Sequence, residues 1–336
     1  MSPRPLSRAV PTAIALALTL VLAACGGAPA PAEPGAEPGT EAFPVSIEHK
    51  YGTTEIPAEP QRIVTLGLSD QDTVLALGSK PVGAVNWFGE EPFGSWPWAA
   101  PLWGDELPTI VGERDEYNVE QIAALTPDLI VAQYSGMSQD QYDTLSKIAP
   151  VVAQPVGFED YQAPWQDMTR AIGKAMGKQD ETEKLIDGVA QRFATIREEH
   201  PEFAGMTAIA AENYEPGLYT AFSPKDPKMV FLGEMGFTMP APLTEFVGEE
   251  NLVDFSGERL DLLEADRLVW LTGDDETEPR ITSDPLYQRL KVASENRDIF
   301  VSYTEPPIGA ALSFNTVLSI PYAADQLVPL LAAPPQ

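Results

Sequence analysis

The stretch QRIVTLGLSDQDTVLALGSKPVGAV, residues 61–85, decides the fold. Arg62 to Gly67 is a short apolar run closed by glycine, which predicts a strand. Asp70 to Leu77 then carries apolar residues at helical spacing, and Gly78 stops it. Pro81 to Val85 predicts a second strand. Strand, helix and strand in sequence imply a parallel sheet covered on both faces.

The alternation continues outward. Asn118 to Leu125 predicts a helix with Asn118 as N-cap and Gln121 three residues on, a capping-box arrangement. Asp128 to Ala132 predicts a strand, Ser138 to Lys147 a helix, and Val151-Val152 a fourth strand. Upstream, Val45, Ile47 and His49 alternate with polar neighbours and Gly52 supplies a turn, so an opening hairpin is expected, with His49 a strand residue and not a ligand.

Residues 164–200 change period. Trp165, Met168, Ile172 and Met176, then Leu185, Val189, Phe193 and Ile196, recur every three or four residues, with Pro201 as the stop. This predicts 30-odd residues of helix with at most one break, a stiff connector between two α/β units. Beyond it, Thr207 to Ala211, Leu218 to Ala221, Arg267 to Leu271 and Ile299 to Ser302 read as strands. Pro227 to Gly233, Asp261 to Ala265 and Ser313 to Leu331, interrupted at Pro321, read as helices. The expected fold is α/β: two Rossmann-like lobes, residues 44–160 and 202–336, joined by one long helix within 161–201.

The ends of the chain carry an address. Arg4 and Arg8 precede the apolar run Ala13 to Leu22, which is too short to span comfortably as a permanent helix, so residues 1–24 read as a signal peptide. The run ends Leu22-Ala23-Ala24-Cys25, similar to the bacterial lipoprotein cleavage box, which makes Cys25 the expected lipidation site and mature N-terminus. Residues 26–43, GGAPAPAEPGAEPGTEAF, read as a flexible tether. The expected location is extracytoplasmic, lipid-anchored at the cell membrane.

Composition narrows the chemistry. Lys and Arg number 21 against 50 Asp and Glu, a net charge of -29 over 336 residues. Removing the leader takes away Arg4 and Arg8 and no acid. Such a polyanion is repelled by phosphate backbones, which excludes nucleic acid as a partner. One cysteine leaves no internal disulfide and no cysteine-based zinc site. Two histidines, His49 and His200, are too few and too far apart for a His-based metal centre or triad, so no metal site is expected. No G-x-G-x-x-G or G-x-S-x-G occurs, and Gly173 to Lys178 lacks the Ser/Thr of a phosphate loop. The acidic run Asp274-Asp275-Glu276 reads as a solvated turn.

Ligands of parallel sheets gather beyond the carboxyl ends of strands. Those ends supply Ser69, then Asn86 with Trp87, then Tyr134 with Ser135, and in the second unit Asn213 with Tyr214, Trp270 and Tyr303. The loop between Gly89 and Trp103 adds Trp96 and Trp98. Four of the six tryptophans therefore fall within residues 87–103, where a loop is ordinarily polar. A cleft between lobes, lined with rings that grip a bulky ligand while amides and hydroxyls orient it, accounts for them. Arg114 is the clearest loop arginine.

GTTEIPAEPQRIVTLGLSDQDTVLALGSKPVGAV, NVEQIAALTPDLIVAQYSG, WQDMTRAIGKAMGK, ERLDLLEADRLVW and VLSIPYAADQLVPLL together resemble the substrate-binding lipoproteins of ABC importers, of the ferric-siderophore periplasmic binding protein family. The resemblance runs over most of residues 45–331. It implies the class III periplasmic binding protein type, a shallow cleft, small closure, and a receptor that hands a ferric siderophore to an ABC transporter permease. No cofactor is implied, the iron being carried within the chelate, and a monomer is expected. Permease docking through one carboxylate per lobe maps to Glu120 and to Glu234. Because aromatics and amides outnumber cleft arginines, a neutral or weakly charged chelate such as a hydroxamate complex is expected over a trianionic one. The alternatives are a cobalamin or haem receptor of the same fold, with Tyr134 or Tyr214 as a haem ligand, and more remotely a surface-anchored hydrolase using Ser69 or Ser135.

Overall fold

Ile63, Val64 and Thr65 form a strand with every side chain buried, as do Leu129–Ala132 and Val151–Ala153. Burial on both faces is what near-continuous apolar runs require, and it is the signature of a parallel sheet. The computed structural model describes residues 43–90 and 93–334. The leader, Cys25 and residues 26–42 of the tether lie outside the described residues.

The chain opens with an antiparallel hairpin, β1 (Val45–His49) and β2 (Gly52–Ile56). His49 is buried in it and bonds Thr54 Oγ1 through Nε2 at 2.8 Å, in keeping with a strand role. The first sheet takes β3 (Ile63–Thr65), β4 (Gly83–Asn86), β5 (Thr109–Glu113), β6 (Glu116–Tyr117), β7 (Leu129–Ala132) and β8 (Val151–Ala153) in the order β6-β5-β4-β3-β7-β8. All its pairs are parallel except β5 with β6. Its helices are α1 (Asp70–Ala76), α2 (Ala100–Trp103), α3 (Val119–Ala124) and α4 (Gln139–Leu145). The cap of α3 is Asn118, which accepts from Gln121 N, and α4 carries a full capping box from Ser138 and Gln141.

The connector has its one break at Gly177, whose φ of 66° suits glycine. It divides α5 (Trp165–Ala175) from α6 (Gln179–Glu199), and the two fold against each other. Arg170 clamps Glu183 with two bonds, 2.8 and 3.0 Å, and a Cβ on Gly173 would lie 1.8 Å from Thr182 Oγ1. Ile172, Ala175 and Met176 pack under the first sheet, while Ile186, Val189, Phe193 and Ile196 pack under the second. The connector is therefore a braced corner.

The second sheet has the order β11-β10-β9-β12-β13, from β9 (Ala208–Glu215), β10 (Leu218–Phe222), β11 (Leu252–Ser256), β12 (Arg267–Thr272) and β13 (Asp298–Ser302). Here β9, β12 and β13 run parallel, and β10 alone is reversed, antiparallel to both of its neighbours β9 and β11. Its helices are α7 (Pro227–Glu234), α8 (Ala241–Val247), α9 (Thr277–Thr282), α10 (Lys291–Ser294), α11 (Ile308–Phe314) and α12 (Ser319–Ala332). The segment expected as a helix at Asp261–Ala265 is instead a 3-10 turn over Gly257–Leu263. Pro321 does not interrupt the last helix. The break falls at Asn315, in the left-handed conformation, and Pro321 occupies the first turn of α12, where its missing N–H costs nothing.

The two sheets share a local device. Asn118-Val119-Glu120 leads through Asp128 into β7, and Ser256-Gly257-Glu258 leads through Asp266 into β12, with the same spacing. Asp128 accepts the N–H of Arg62 just before β3, and Asp266 accepts the N–H of Thr207 just before β9. Ile63 then pairs with Leu129 and Ala208 with Arg267, in the same register. Glu120 and Glu258 are thus equivalent positions of two related halves.

Candidate functional site

Asp70 organises the strand ends of the first sheet. Buried at the start of α1, its carboxylate accepts from Gly67 N (3.1 Å), Gln133 N (2.9 Å) and Tyr134 N (3.1 Å), lashing the exits of β3 and β7 together. A Cβ on Gly67 would lie 2.5 Å from Asp70 Oδ2, so only glycine permits the approach. Burial pushes this carboxyl up to about 6 in spite of the three N–H donors.

The rings of the two halves do meet, but the seam between them is packed. Trp96 and Trp98 stack at 5.3 Å and 3°. Both rest on Phe314 of α11, and Trp98 also on Tyr322 of α12. Phe88 stacks on Phe314 at 5.7 Å and reaches Tyr303 at 5.9 Å. Trp96, Trp98 and Trp103 join one core with Phe222, Phe314 and Leu327. The space lined by Gln71, Trp87, Phe88, Glu90 and Phe314 is about 10 Å³, roughly one water, where an open crevice was expected. Phe88, 39 % exposed, marks where this seam reaches solvent.

Of the residues expected in the cleft, Trp87, Tyr134 and Tyr303 border the seam. Trp87 and Tyr134 both pack against Tyr161, whose hydroxyl donates to Asp115. Tyr303 donates to Glu212 Oε1. Asn86 holds its own turn, accepting from Gly89 N at 2.8 Å. Arg114 is exposed in the β5–β6 turn at a φ of 45°. Tyr214 is 67 % exposed near the tip of the β9–β10 hairpin.

Four expected residues serve the interior instead. Trp270 is fully buried within the second sheet, donating to Tyr287 OH at 2.8 Å and stacking on Phe300. β12 is covered on both faces, and Trp270, two residues before its end at Thr272, packs in the core of the second sheet. Asn213 is buried, donating to the carbonyls of Glu215 and Leu218 and accepting from Arg280 Nε at 2.7 Å, so it staples a hairpin. Ser135 donates to Ala132 O and is buried, which removes it as a nucleophile. Ser69 is buried beside Asp70, Trp165 and Thr316. Each sits at or near a strand end but is buried, and the polar atoms of Trp270, Asn213 and Ser135 are bonded within their own half.

A charged group that was not among the expected site residues lies behind Tyr303. Glu212, at the carboxyl end of β9, is 1 % exposed, and its Oε2 has no hydrogen-bond partner. Asp226, the N-cap of α7, holds Lys228 at 3.1 Å, and Lys228 Nζ lies 3.9 Å from the Phe222 ring centroid. Burial drives Glu212 up to about 7, opposed by Lys228 and reinforced by Asp226. The Asp226-Pro227 pair, a helix-start signal, was the legible clue to this position.

A hollow of about 810 Å³ opens elsewhere, beside Arg267, Asn296, Arg297 and Asp298. These are the amino ends of β12 and β13, the wrong end of a parallel sheet for a ligand. Among the described residues, no three His, Cys, Asp or Glu are grouped to hold a metal ion.

Residues 63–302 match the family profile described as periplasmic binding protein. The chain belongs to that family. This periplasmic binding protein is 30% identical over 236 residues to the "Probable siderophore-binding lipoprotein YfiY" of Bacillus subtilis (strain 168), covering 68% of each chain. Among solved structures it resembles a periplasmic solute binding protein from Mycobacterium smegmatis str. MC2 155, with a TM-score of 0.77 and 37% identity over 86% of this chain and 98% of that one. It also resembles Streptococcus pneumoniae TIGR4 PiaA in complex with ferrichrome, with a TM-score of 0.73 and 28% identity over 85% of this chain and 97% of that one. The likeness to both solved structures extends over most of the described fold.

Proposed function

We propose that this protein is a receptor for a ferric siderophore, tethered outside the cell membrane through lipid on Cys25, which passes its cargo unchanged to an ABC importer. The observation that carries the reading is the aromatic seam: Phe88 and Trp98 from one half meet Phe314, Tyr303 and Tyr322 from the other, at the carboxyl ends of both sheets. Rings in that position suit a bulky, partly apolar complex whose metal is already wrapped by its own chelator. Among the described residues that line the seam there is no arginine, which supports a neutral or weakly charged chelate, a hydroxamate complex before a tris-catecholate. The relatives named for siderophores and the ferrichrome complex of PiaA support the same class.

Docking on the permease is proposed through Glu120 and Glu258. Both are exposed, and they occupy equivalent positions of the two halves. Glu234 fits this role less well, because it ends α7 half-buried with its carbonyl and carboxylate facing Arg197.

Tryptophan-fluorescence titration with iron-loaded and iron-free chelators tests the reading. Quenching by loaded hydroxamates at micromolar concentration or below is expected. A response to none of the loaded chelates, or a preference for a loaded tris-catecholate, would overturn the corresponding part.

A further inference from the structure

The inference concerns which chelates the receptor prefers, and it rests on the siderophore reading above. Glu212 is a carboxylate buried to 1 % exposure with one oxygen unpartnered. A buried polar atom without a partner is costly and calls for a reason. Its other oxygen accepts from Tyr303, and the Tyr303 ring is covered from the opposite half by Phe88 at 5.9 Å. Glu212 therefore stands one side chain behind the seam, and a ligand that parts Phe88 from Tyr303 and shifts the Tyr303 ring opens a path to it.

The surrounding charges leave that site negative. Lys228 is the buried cation nearby, but Asp226 holds it at 3.1 Å and the Phe222 face covers it. In formal charge Asp226 offsets Lys228 and an ionised Glu212 leaves the group with one negative charge, although Lys228 acts on Glu212 more strongly than Asp226 does. In the first half, the Asp115 carboxylate accepts from Tyr161, Tyr117 and Gly136 N, and the Tyr161 ring packs on Trp87 and Tyr134. Arg280 is turned to Asn213, with bonds to its side chain and carbonyl.

We propose that Glu212 is a specificity-determining residue that selects ferric chelates bearing a pendant ammonium, by accepting its N–H on the free oxygen. A neutral chelate of the same core leaves that oxygen unmet, and an anionic one is repelled.

The test compares ferrioxamine B, which carries a free ammonium, with its N-acetylated derivative, which keeps the hydroxamate core and loses the charge. Wild-type protein is expected to bind the ammonium form about tenfold more tightly, the scale of one charge-assisted hydrogen bond. Glu212→Gln keeps an acceptor for Tyr303 and is expected to bring the ratio close to one. Glu55→Gln removes an equally formal but exposed charge from β2 and is expected to leave the ratio as in wild type, which separates a local effect from the overall negative field. Circular dichroism establishes that each variant is folded. Equal affinities in the wild type, or a ratio that Glu212→Gln does not move, would overturn the proposal while the receptor reading stands. Failure of every iron-loaded chelate to bind would overturn both.

Discussion

Thr316 donates from Oγ1 to Asp72 Oδ2 at 2.6 Å, joining α1 of the first half to the turn between α11 and α12 of the second. The same carboxylate oxygen accepts from Trp98 Nε1 at 3.0 Å. One buried acid thus ties the aromatic loop and both halves together. Thr316 Oγ1 in turn accepts from Leu318 N and Ser319 N and so starts α12.

Thr316→Val keeps the shape and removes the hydroxyl. It leaves Asp72 with one donor and two α12 amides without an acceptor, a loss of about 2 kcal/mol or more. Thermal unfolding is expected to fall by several degrees. An unchanged melting temperature would mean that the tie contributes nothing.

Asp72 also predicts a pH dependence. Burial pushes its carboxyl from 3.8 to about 7, with Thr316 and Trp98 opposing and Glu90 adding to the rise. Glu90, half-buried, is likewise raised to about 7 by its partial burial. The folded protein therefore binds more protons than the unfolded chain between roughly pH 4 and pH 7, and stability falls as pH rises through that window. Melting temperature is expected to be higher at about pH 5.5 than at about pH 8. Because the whole chain is strongly acidic, relief of general repulsion acts in the same direction, so the informative quantity is the difference: Asp72→Asn should show a smaller rise than the wild type.

Gly67→Ala would drive a methyl group into the Asp70 carboxylate and displace the amides of Gln133 and Tyr134. A cost of about 2–4 kcal/mol is expected from denaturant unfolding, far above an ordinary surface substitution. A variant as stable as the wild type would show that the three amide bonds are not needed.

Trp270→Phe separates interior from site. It removes the bond to Tyr287 and some volume from the second core, and about 1–3 kcal/mol of stability should go with it. Chelate affinity is expected to stay within about twofold. A large loss of affinity would return Trp270 to the site.

Glu120→Ala and Glu258→Ala act on delivery. Each is expected to lower importer-coupled iron uptake severalfold, the pair more than either alone, with chelate affinity unaltered. Glu234→Ala is expected to have the smaller effect on uptake, and a larger one would favour it as the second docking carboxylate.

Much of the first sheet was legible because its strands and helices are short and punctuated. Gly67, Gly78 and the Asn118 cap mark boundaries by local chemistry that acts over a few residues. The second sheet was less so. β11 reads poorly because only Phe255 of its five residues is buried, and the antiparallel β10 has no sequence mark distinguishing it from a parallel neighbour. The site divided in the same way. Strand ends pointed to Trp87, Tyr134 and Tyr303, but the same rule gave Trp270, because position at a strand end does not say which face a side chain takes.

By itself, the sequence determined the α/β alternation, the helical connector, the strongly acidic charge, and the concentration of indoles in one loop. Each follows from periodicity, turn chemistry or composition, which act between near neighbours. Only the tertiary structure decided what those indoles meet. Phe314 lies more than two hundred residues from Trp98, and Asp72 is 244 residues from Thr316. No local pattern encodes such pairs, because they arise only when the two halves pack together on either side of the connector.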